Sequence, residues 1–410
     1  MNNFLKEFIK RGYFYQCTNE KGLSDHLDDN KINAYIGFDC TAESLHVGSL
    51  LQIMCLRLLQ KHGHRPIVLL GGGTTRVGDP SGKDKTRTML TEDVIEKNIK
   101  NIEKILRNFL DTNNKTTKPI FVNNYKWLKD LNYISFLREI GKHFTINKMI
   151  NFDSVKLRLD RQQSLSYMEF NYMILQAYDF LELNKNDNCV LQIGGSDQWG
   201  NIVNGVELIK RHSNKQVYGL TTPLITLTSG VKMGKTESGA VWLDEKFLSA
   251  YDYWQFWRNT DDRDVIKFLK MFTDLEINEI QNLGNKDINK IKIVLANKTT
   301  SILHGKDQAL QSEETAKKTF EENSIGENLP SYKINNNLLG KKINVIDLVL
   351  LTKLETSKSE IRRLIKGKGI KINNKVIEDK KLLIKKSLFN EKGVLKLSLG
   401  KKKHVKVEIG

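Results

Sequence analysis

Proline and cysteine are both rare, with five and four copies in 410 residues. No proline-rich or other low-complexity tract interrupts the chain, although Lys, Asn and Ile are abundant. Cys17, Cys40, Cys55 and Cys189 lie far apart with no C-x-x-C pair. That spacing argues against a disulfide framework or a zinc site and for a reducing compartment. No apolar run approaches the roughly 20 residues needed to span a bilayer. The start, MNNFLKEFIKRGYFYQC, is amphipathic and lacks an unbroken apolar core with a small-residue cleavage site. It also leaves little room for an organelle presequence, so a bacterial-type cytoplasm is expected.

The hydrophobic share of 39% supports a globular protein. The length exceeds one ordinary core, which predicts two or three domains. The net charge of +17 is unevenly spread. Residues 341–410 hold 20 Lys/Arg against 7 Asp/Glu, while the remainder is nearly balanced. A basic tail on a near-neutral body points to a polyanionic partner. The plainer explanation is solubility or lysine-rich composition.

Three apolar runs lead into Gly-rich turns and then into helical periodicity: AYIGFD (34–39), PIVLLGGGTT (66–75) and CVLQIGGSDQ (189–198). A fourth, PLITLTSG (223–230), leads into a loop. Continuous apolar runs alternating with helices predict an α/β, Rossmann-like, doubly wound parallel sheet. Ligands of such sheets sit beyond the carboxyl ends of the strands, so all four turns should face one cleft. The pattern from about Leu248 to Glu322 is helical, and ENSIGENLPSYKINNN (322–337) reads as a linker. The expected division is a catalytic domain over 1–220, a loop-and-helix domain over 221–325, a linker over 326–342 and a basic α+β unit over 343–410.

Four clusters carry the chemistry. In FDCTAESLHVGS (38–49), a helix beginning near Gly48 aims free amides at the cleft, beside Thr41 and His46. In GGGTTRVGDPSGKDKTR (71–87), Asp79 lies in a turn and Lys83 and Arg87 follow; no Walker P-loop pattern is present. Tyr172, Gln176 and Asp179 share one helical face upstream of LQIGGSDQWGN (191–201), where Asp197 and Gln198 suit ribose hydroxyls. A phenol, an amide and a carboxylate are costly to bury together without a polar ligand. In VKMGKTESG (231–239), Lys232 and Lys235 suit a polyphosphate. Each cluster alone has a plainer explanation: a histidine capping a turn, solvated cations, a helix face in water, a surface turn.

Together they resemble the class I aminoacyl-tRNA synthetases. His46-Val47-Gly48-Ser49 is similar to the HIGH motif and Lys232-Met233-Gly234-Lys235-Thr236 to the KMSKS motif. GDPSGK (78–83), YMILQAYD (172–179) and QIGGSDQWGN (192–201) resemble motifs of the bacterial-type tyrosyl-tRNA synthetase family. Residues 343–410, with SKSEIRRLIKGKGIKIN (357–373), resemble the S4 RNA-binding domain that ends those enzymes.

The resemblance implies activation of L-tyrosine by ATP to tyrosyl-adenylate and pyrophosphate, then transfer to the 3′-terminal adenosine of tRNA(Tyr). It implies that Tyr35 and Asp179 hold the tyrosine hydroxyl, that Asp79, Tyr172 and Gln176 hold its ammonium, and that Gln192 lines the same pocket. Gln198 would orient the carboxylate. Gly37, Gly48 and Ser49 would meet ATP, and Asp39, Gly195 and Asp197 its ribose or the substrate amine. Thr41 and His46 would stabilise the departing pyrophosphate, with Lys83, Arg87, Lys232 and Lys235 closing over it. Arg362, Arg363, Lys366 and Lys368 would meet RNA, after a capping box formed by Ser357 and Glu360. Magnesium would arrive with ATP rather than in a protein cage, and a homodimer is implied.

Three positions depart from the family pattern: Ser49 replaces the usual second His, Ile36 a frequent Cys, and Cys40 a usual Pro. None removes a charge from the phosphate site. The rival readings are a tryptophan-specific synthetase, a nucleotidyltransferase acting without RNA, and a non-catalytic RNA-binding protein on a synthetase body. Tyr35 with Asp179, the basic tail, and the full cationic set stand against them in turn.

Overall fold

The computed structural model describes every residue except 82–89, 229, 231–232, 237–238, 285, 321–328, 336–342 and 401–402. Two compact units emerge, Met1–Leu248 with Asn259–Leu303, and Ser249–Arg258 with His304–Gly410.

The first unit is built on a six-stranded sheet. Its strands are β1 (Gln16–Cys17), β2 (Asn33–Asp39), β3 (Arg65–Gly71), β4 (Ile120–Asn123), β5 (Cys189–Gly195) and β6 (Tyr218–Thr222), in the order β1-β6-β5-β2-β3-β4. All neighbours are parallel except the β1–β6 edge pair. The strand β3 is almost wholly buried, and β2 is buried over Ala34–Ile36 and at Phe38, as apolar runs require when both sheet faces are covered. Strand order reverses between β2 and β5, which opens a crevice at their carboxyl ends.

The expected α/β sheet is therefore present, with two corrections. The described residues of the fourth run, 223–230, add no strand to this sheet; β6 ends at Thr222, just before Pro223. Proline has no N–H to give a central ladder, and the preceding YGLTT supplies the strand instead. β4, inside PIFVNN, carries no glycine-rich turn and was not among the predicted strands.

The long helix Tyr167–Asp187 crosses this sheet. It opens on a capping box, in which Ser166 Oγ accepts from Glu169 N and Glu169 accepts from Ser166 N. Glu169 also meets Arg158 at 3.0 Å, and both are buried. Asn188, in the left-handed region at φ 47°, ends the helix. Its Met173, Ala177 and Phe180 join Tyr35, Leu69 and Leu208 in one core.

The second unit holds the helices Ala250–Arg258 and Lys306–Phe320 and a five-stranded sheet. With β7 (Lys235–Thr236) and β8 (Gly239–Ala240) counted in the first unit, its strands are β9 (Ser331–Ile334), β10 (Ile370–Ile372), β11 (Lys375–Val376), β12 (Val394–Leu399) and β13 (Lys403–Ile409). The order is β11-β10-β12-β13-β9. Helices Val345–Leu351 and Lys358–Lys366 pack on it through Val345, Leu348, Ile361 and Ile365. β9 lies inside the stretch read as a linker: it pairs in parallel with β13, and Ile334 is fully buried. The predicted capping box at Ser357 is half formed. Ser357 Oγ accepts from Glu360 N, but Ser357 N donates to Glu355, leaving the Glu360 carboxylate to Arg363 at 2.7 Å.

Candidate active site

A cleft of about 320 Å³ opens at the carboxyl ends of β2 and β5. Tyr35, Gly37 and Asp39 reach it from β2, and Gln192, Gly194 and Gly195 from β5. The turns beyond add Gly48, Ser49, Asp79, Asp197 and Gln198, and the long helix adds Tyr172, Gln176 and Asp179. Four carboxylates thus line the cleft, and no Lys, Arg or His does so among the described residues.

The deep end is dominated by Asp179, which is 1% exposed. Burial pushes its carboxyl up to about 7, against the pull of two hydrogen bonds. Asn124 Nδ2 donates to Oδ2 at 2.9 Å and Trp127 Nε1 to Oδ1 at 2.8 Å. The buried hydroxyl of Tyr35 and the Oε1 of Gln192 find no partner among the described residues. Burial also raises Tyr35 well above the usual phenol range, with Asp179 adding to it. Unsatisfied polar atoms in a cavity wall are costly unless a ligand meets them.

A second polar chain runs towards the mouth. Tyr172 donates to Asp39 Oδ2 at 3.1 Å, and Thr74 donates to Asp39 Oδ1 at 2.9 Å. Gln198 Nε2 donates to Asp79 at 2.9 Å, and Asn201 Nδ2 donates to both Gln198 Oε1 and Gln176 Oε1. Burial raises Asp79, while Ser81 and Gln198 hold it down. Such a row of oriented acceptors suits an ammonium group.

His46 stands at the rim, next to Gly48. Its Nδ1 accepts from Gly48 N at 2.9 Å at the start of the turn Val47–Ser49, which runs into the helix Leu50–Lys61. Residues 44–47 pair with 241–244: Val47 N donates to Val241 O and Leu243 N to Leu45 O, each at 2.9 Å. The same segment brings Met233 and Gly234 against Gly48 and His46. The two synthetase-like motifs, about 185 residues apart in sequence, are therefore neighbours in space.

The profile of the family "tRNA synthetases class I (W and Y)" matches residues 27–321. The chain belongs to this family. It is similar along its whole length to a tyrosine–tRNA ligase of Pelagibacter ubique, with 74% identity over 409 residues and full coverage of both chains. A tyrosine–tRNA ligase of Rickettsia bellii is 50% identical over 99% of this chain and all of its own. Among solved structures, a C-terminally truncated mitochondrial tyrosyl-tRNA synthetase of Aspergillus nidulans matches with a TM-score of 0.71 and 30% identity. That match spans 77% of this chain and 94% of the other. An S4 domain profile matches residues 346–388.

In this class I synthetase most of the sequence-predicted residues converge. Tyr35, Gly37, Asp39, Gly48, Ser49, Asp79, Tyr172, Gln176, Asp179, Gln192, Gly195, Asp197 and Gln198 all line the cleft. Thr41 is exposed in the turn after β2 and does not line it. Lys83, Arg87 and Lys232 lie outside the described residues, and Lys235 begins β7. Of the departures, Ile36 lines the cleft and is buried, Ser49 precedes the helix Leu50–Lys61 without capping it, and Cys40 is buried with its N–H donating to Thr75 Oγ1 at 2.8 Å. Arg362, Arg363, Lys366 and Lys368 are all exposed in the S4 part. Arg363 and Lys368 pair with Glu360 and Glu378.

Sequence reasoning missed Asn124, Trp127, Thr74 and Asn201. The signal for Asn124 was two asparagines directly after an apolar run, at the carboxyl end where a parallel sheet places its ligand groups.

Proposed function

We infer that the chain is a tyrosine–tRNA ligase that activates L-tyrosine with ATP and then charges tRNA(Tyr). The observation that carries the reading is the deep end of the cleft, where Asp179 and an unpartnered Tyr35 hydroxyl share one buried wall. A phenol entering there completes both groups. Phenylalanine leaves the Tyr35 hydroxyl desolvated and unpaired, at a cost of about 1–3 kcal/mol, and leaves Asp179 with its Asn124 and Trp127 donors alone. The tryptophan reading is disfavoured by the same wall, since an indole N–H satisfies a carboxylate but places no oxygen beside Tyr35.

In activation the tyrosine carboxylate attacks the α-phosphorus of ATP and pyrophosphate leaves. The nucleophile is already an anion, so no general base is required. The barrier lies in aligning anions and in dispersing charge onto the leaving group. Asp79, Tyr172 and Gln176 hold the ammonium, Gln198 orients the carboxylate, and Gly37, Asp39, Gly195 and Asp197 face the ribose. Gly48, Ser49 and His46 meet ATP from the helix start, Thr41 meets the pyrophosphate from the turn after β2, and Lys83, Arg87, Lys232 and Lys235 supply positive charge as the pyrophosphate departs. Magnesium comes with ATP as its counter-ion. Arg362, Arg363, Lys366 and Lys368 take RNA phosphates; of the expected parts 1–220, 221–325, 326–342 and 343–410, the last extends to take in β9 from the stretch 326–342.

The enzyme acts as a homodimer in a bacterial-type cytoplasm. Support for a dimer comes from large apolar side chains left in water over 133–168, among them Ile134 at 69% and Ile146 at 61% exposed. No described helix is long and apolar enough to cross a membrane.

The test is amino-acid-dependent ATP–pyrophosphate exchange. It should respond to tyrosine and hardly to phenylalanine or tryptophan; exchange driven by tryptophan, or none with any amino acid, overturns the reading.

A further inference from the structure

His46 is enclosed on several sides. Its backbone is held between two ladder hydrogen bonds, Val47 N to Val241 O and Leu243 N to Leu45 O. A third bond, Asp244 N to Ser44 Oγ at 3.1 Å, extends the pairing. The bridge partner of His46 itself is Trp242. The indole lies against the imidazole with ring centroids 6.3 Å apart and planes at 62°, an edge-to-face arrangement. Trp242 in turn leans on Phe247 at 5.8 Å. On the other side two glycines leave no slack. A Cβ on Gly48 would fall 2.5 Å from His46 Cε1, and one on Gly234, whose φ is +112°, would fall 2.9 Å from His46 Nδ1.

This enclosure decides which nitrogen carries the proton. Nδ1 accepts the Gly48 amide hydrogen at 2.9 Å, so its lone pair is engaged. In the neutral ring the proton then resides on Nε2. We propose that Trp242 is a positioning residue, which holds His46 in the Nε2–H tautomer with that N–H as the donor offered to the departing pyrophosphate. The inference rests on the reading of this cleft as the place of tyrosine activation. Trp242 does not line the cleft; it acts through the ring it packs against. Removing the indole lets the imidazole rotate, so that the Gly48 bond and the aim of Nε2 are lost together.

Two measurements test it. Long-range nitrogen–proton spectra of the full chain labelled in its histidines, with the His46 signals assigned by their absence from His46→Gln, should show Nε2–H alone. An Nδ1–H tautomer in the wild-type protein overturns the proposal, whatever the variants do. In single-turnover activation, Trp242→Leu should slow adenylate formation by about 10–100-fold, the range expected for a misplaced catalytic group, with tyrosine affinity unchanged. Trp242→Phe, which keeps an aromatic edge, should restore most of the rate. The double variant His46→Ala/Trp242→Leu should be no slower than His46→Ala alone. Multiplying losses would show that Trp242 works independently of His46 and overturn the proposal. Wild-type protein lacking tyrosine-dependent exchange would instead defeat the functional reading, leaving the tautomer result to stand by itself.

Discussion

Asp179 concentrates the chemistry of this site at a single atom pair. Its ordinary value of 3.8 is raised to about 7 by burial, while Asn124 and Trp127 hold it from rising further. A buried acid raised in the folded state contributes stability that is complete below about pH 4 and is lost as pH rises through about 7. Tyrosine binding runs the other way, because the ionised carboxylate is the acceptor for the phenol. Lowering the pH from 8 to 5.5 should therefore weaken tyrosine affinity with a midpoint near 7, followed by intrinsic fluorescence. The stability of the wild type relative to Asp179→Ala should improve over the same interval, followed by thermal melts. Asn124→Ala removes one donor, so the affinity midpoint should move upward; an unmoved midpoint means Asn124 does not tune the acid. Asp179 was legible from sequence because Tyr172, Gln176 and Asp179 repeat at helical spacing. Asn124 and Trp127 were not, since their pairing with Asp179 spans 55 and 52 positions and no local period encodes it.

At the scale of elements, the short antiparallel pairing of 44–47 with 241–244 joins the two motif segments. The base of the second segment is fixed as well. Thr228 N and Oγ1 donate to the two oxygens of buried Asp264 at 2.9 and 2.7 Å, and Met233 N donates to Ile225 O at 2.9 Å. A side chain at Gly234 therefore meets His46 and the Gly48 amide directly. Gly234→Ala places a methyl group in a left-handed position against His46 Nδ1. Tyrosine activation should fall about 10–100-fold with tyrosine affinity preserved, because the deep end of the cleft is made by other elements. Equal loss of both would mean that the segment supports the fold at large. The sheet itself was readable from sequence, since β2, β3 and β5 are short, mostly apolar runs that lead into turns. The 44–47/241–244 pairing was not, because three or four residues carry no alternating pattern and their register is set only when the two segments meet.

For the whole molecule, the position of β9 changes how the RNA-binding part should be removed. A cut at residue 343, where the basic composition begins, would strip β9 of its partner β13 and expose Ile334. Lys396, 2% exposed within the sheet, also donates to Thr319 O at the end of the helix Lys306–Phe320. A clean truncation therefore ends before Ser331. That shortened chain should retain tyrosine-dependent ATP–pyrophosphate exchange, whose residues all lie upstream, and lose most tRNA charging at low enzyme concentration. Within the intact chain the charge contribution can be separated from the fold. Arg362 and Lys366 carry no acidic partner among the described residues, whereas Arg363 and Lys368 are already paired. Every RNA phosphate that a substitution leaves without its cation should reduce the slope of log affinity against log salt by roughly 0.7–0.9. Arg362→Ala/Lys366→Ala should thus lower the tRNA salt slope by about 1.4–1.8, and Arg363→Ala/Lys368→Ala by less, because those cations already hold a carboxylate and release fewer counter-ions. A filter-binding series in KCl measures both slopes. A wild-type slope in both variants would mean the RNA lies elsewhere on this unit, and exchange lost along with charging in the truncated chain would mean that the unit supports the catalytic body instead of delivering tRNA to it.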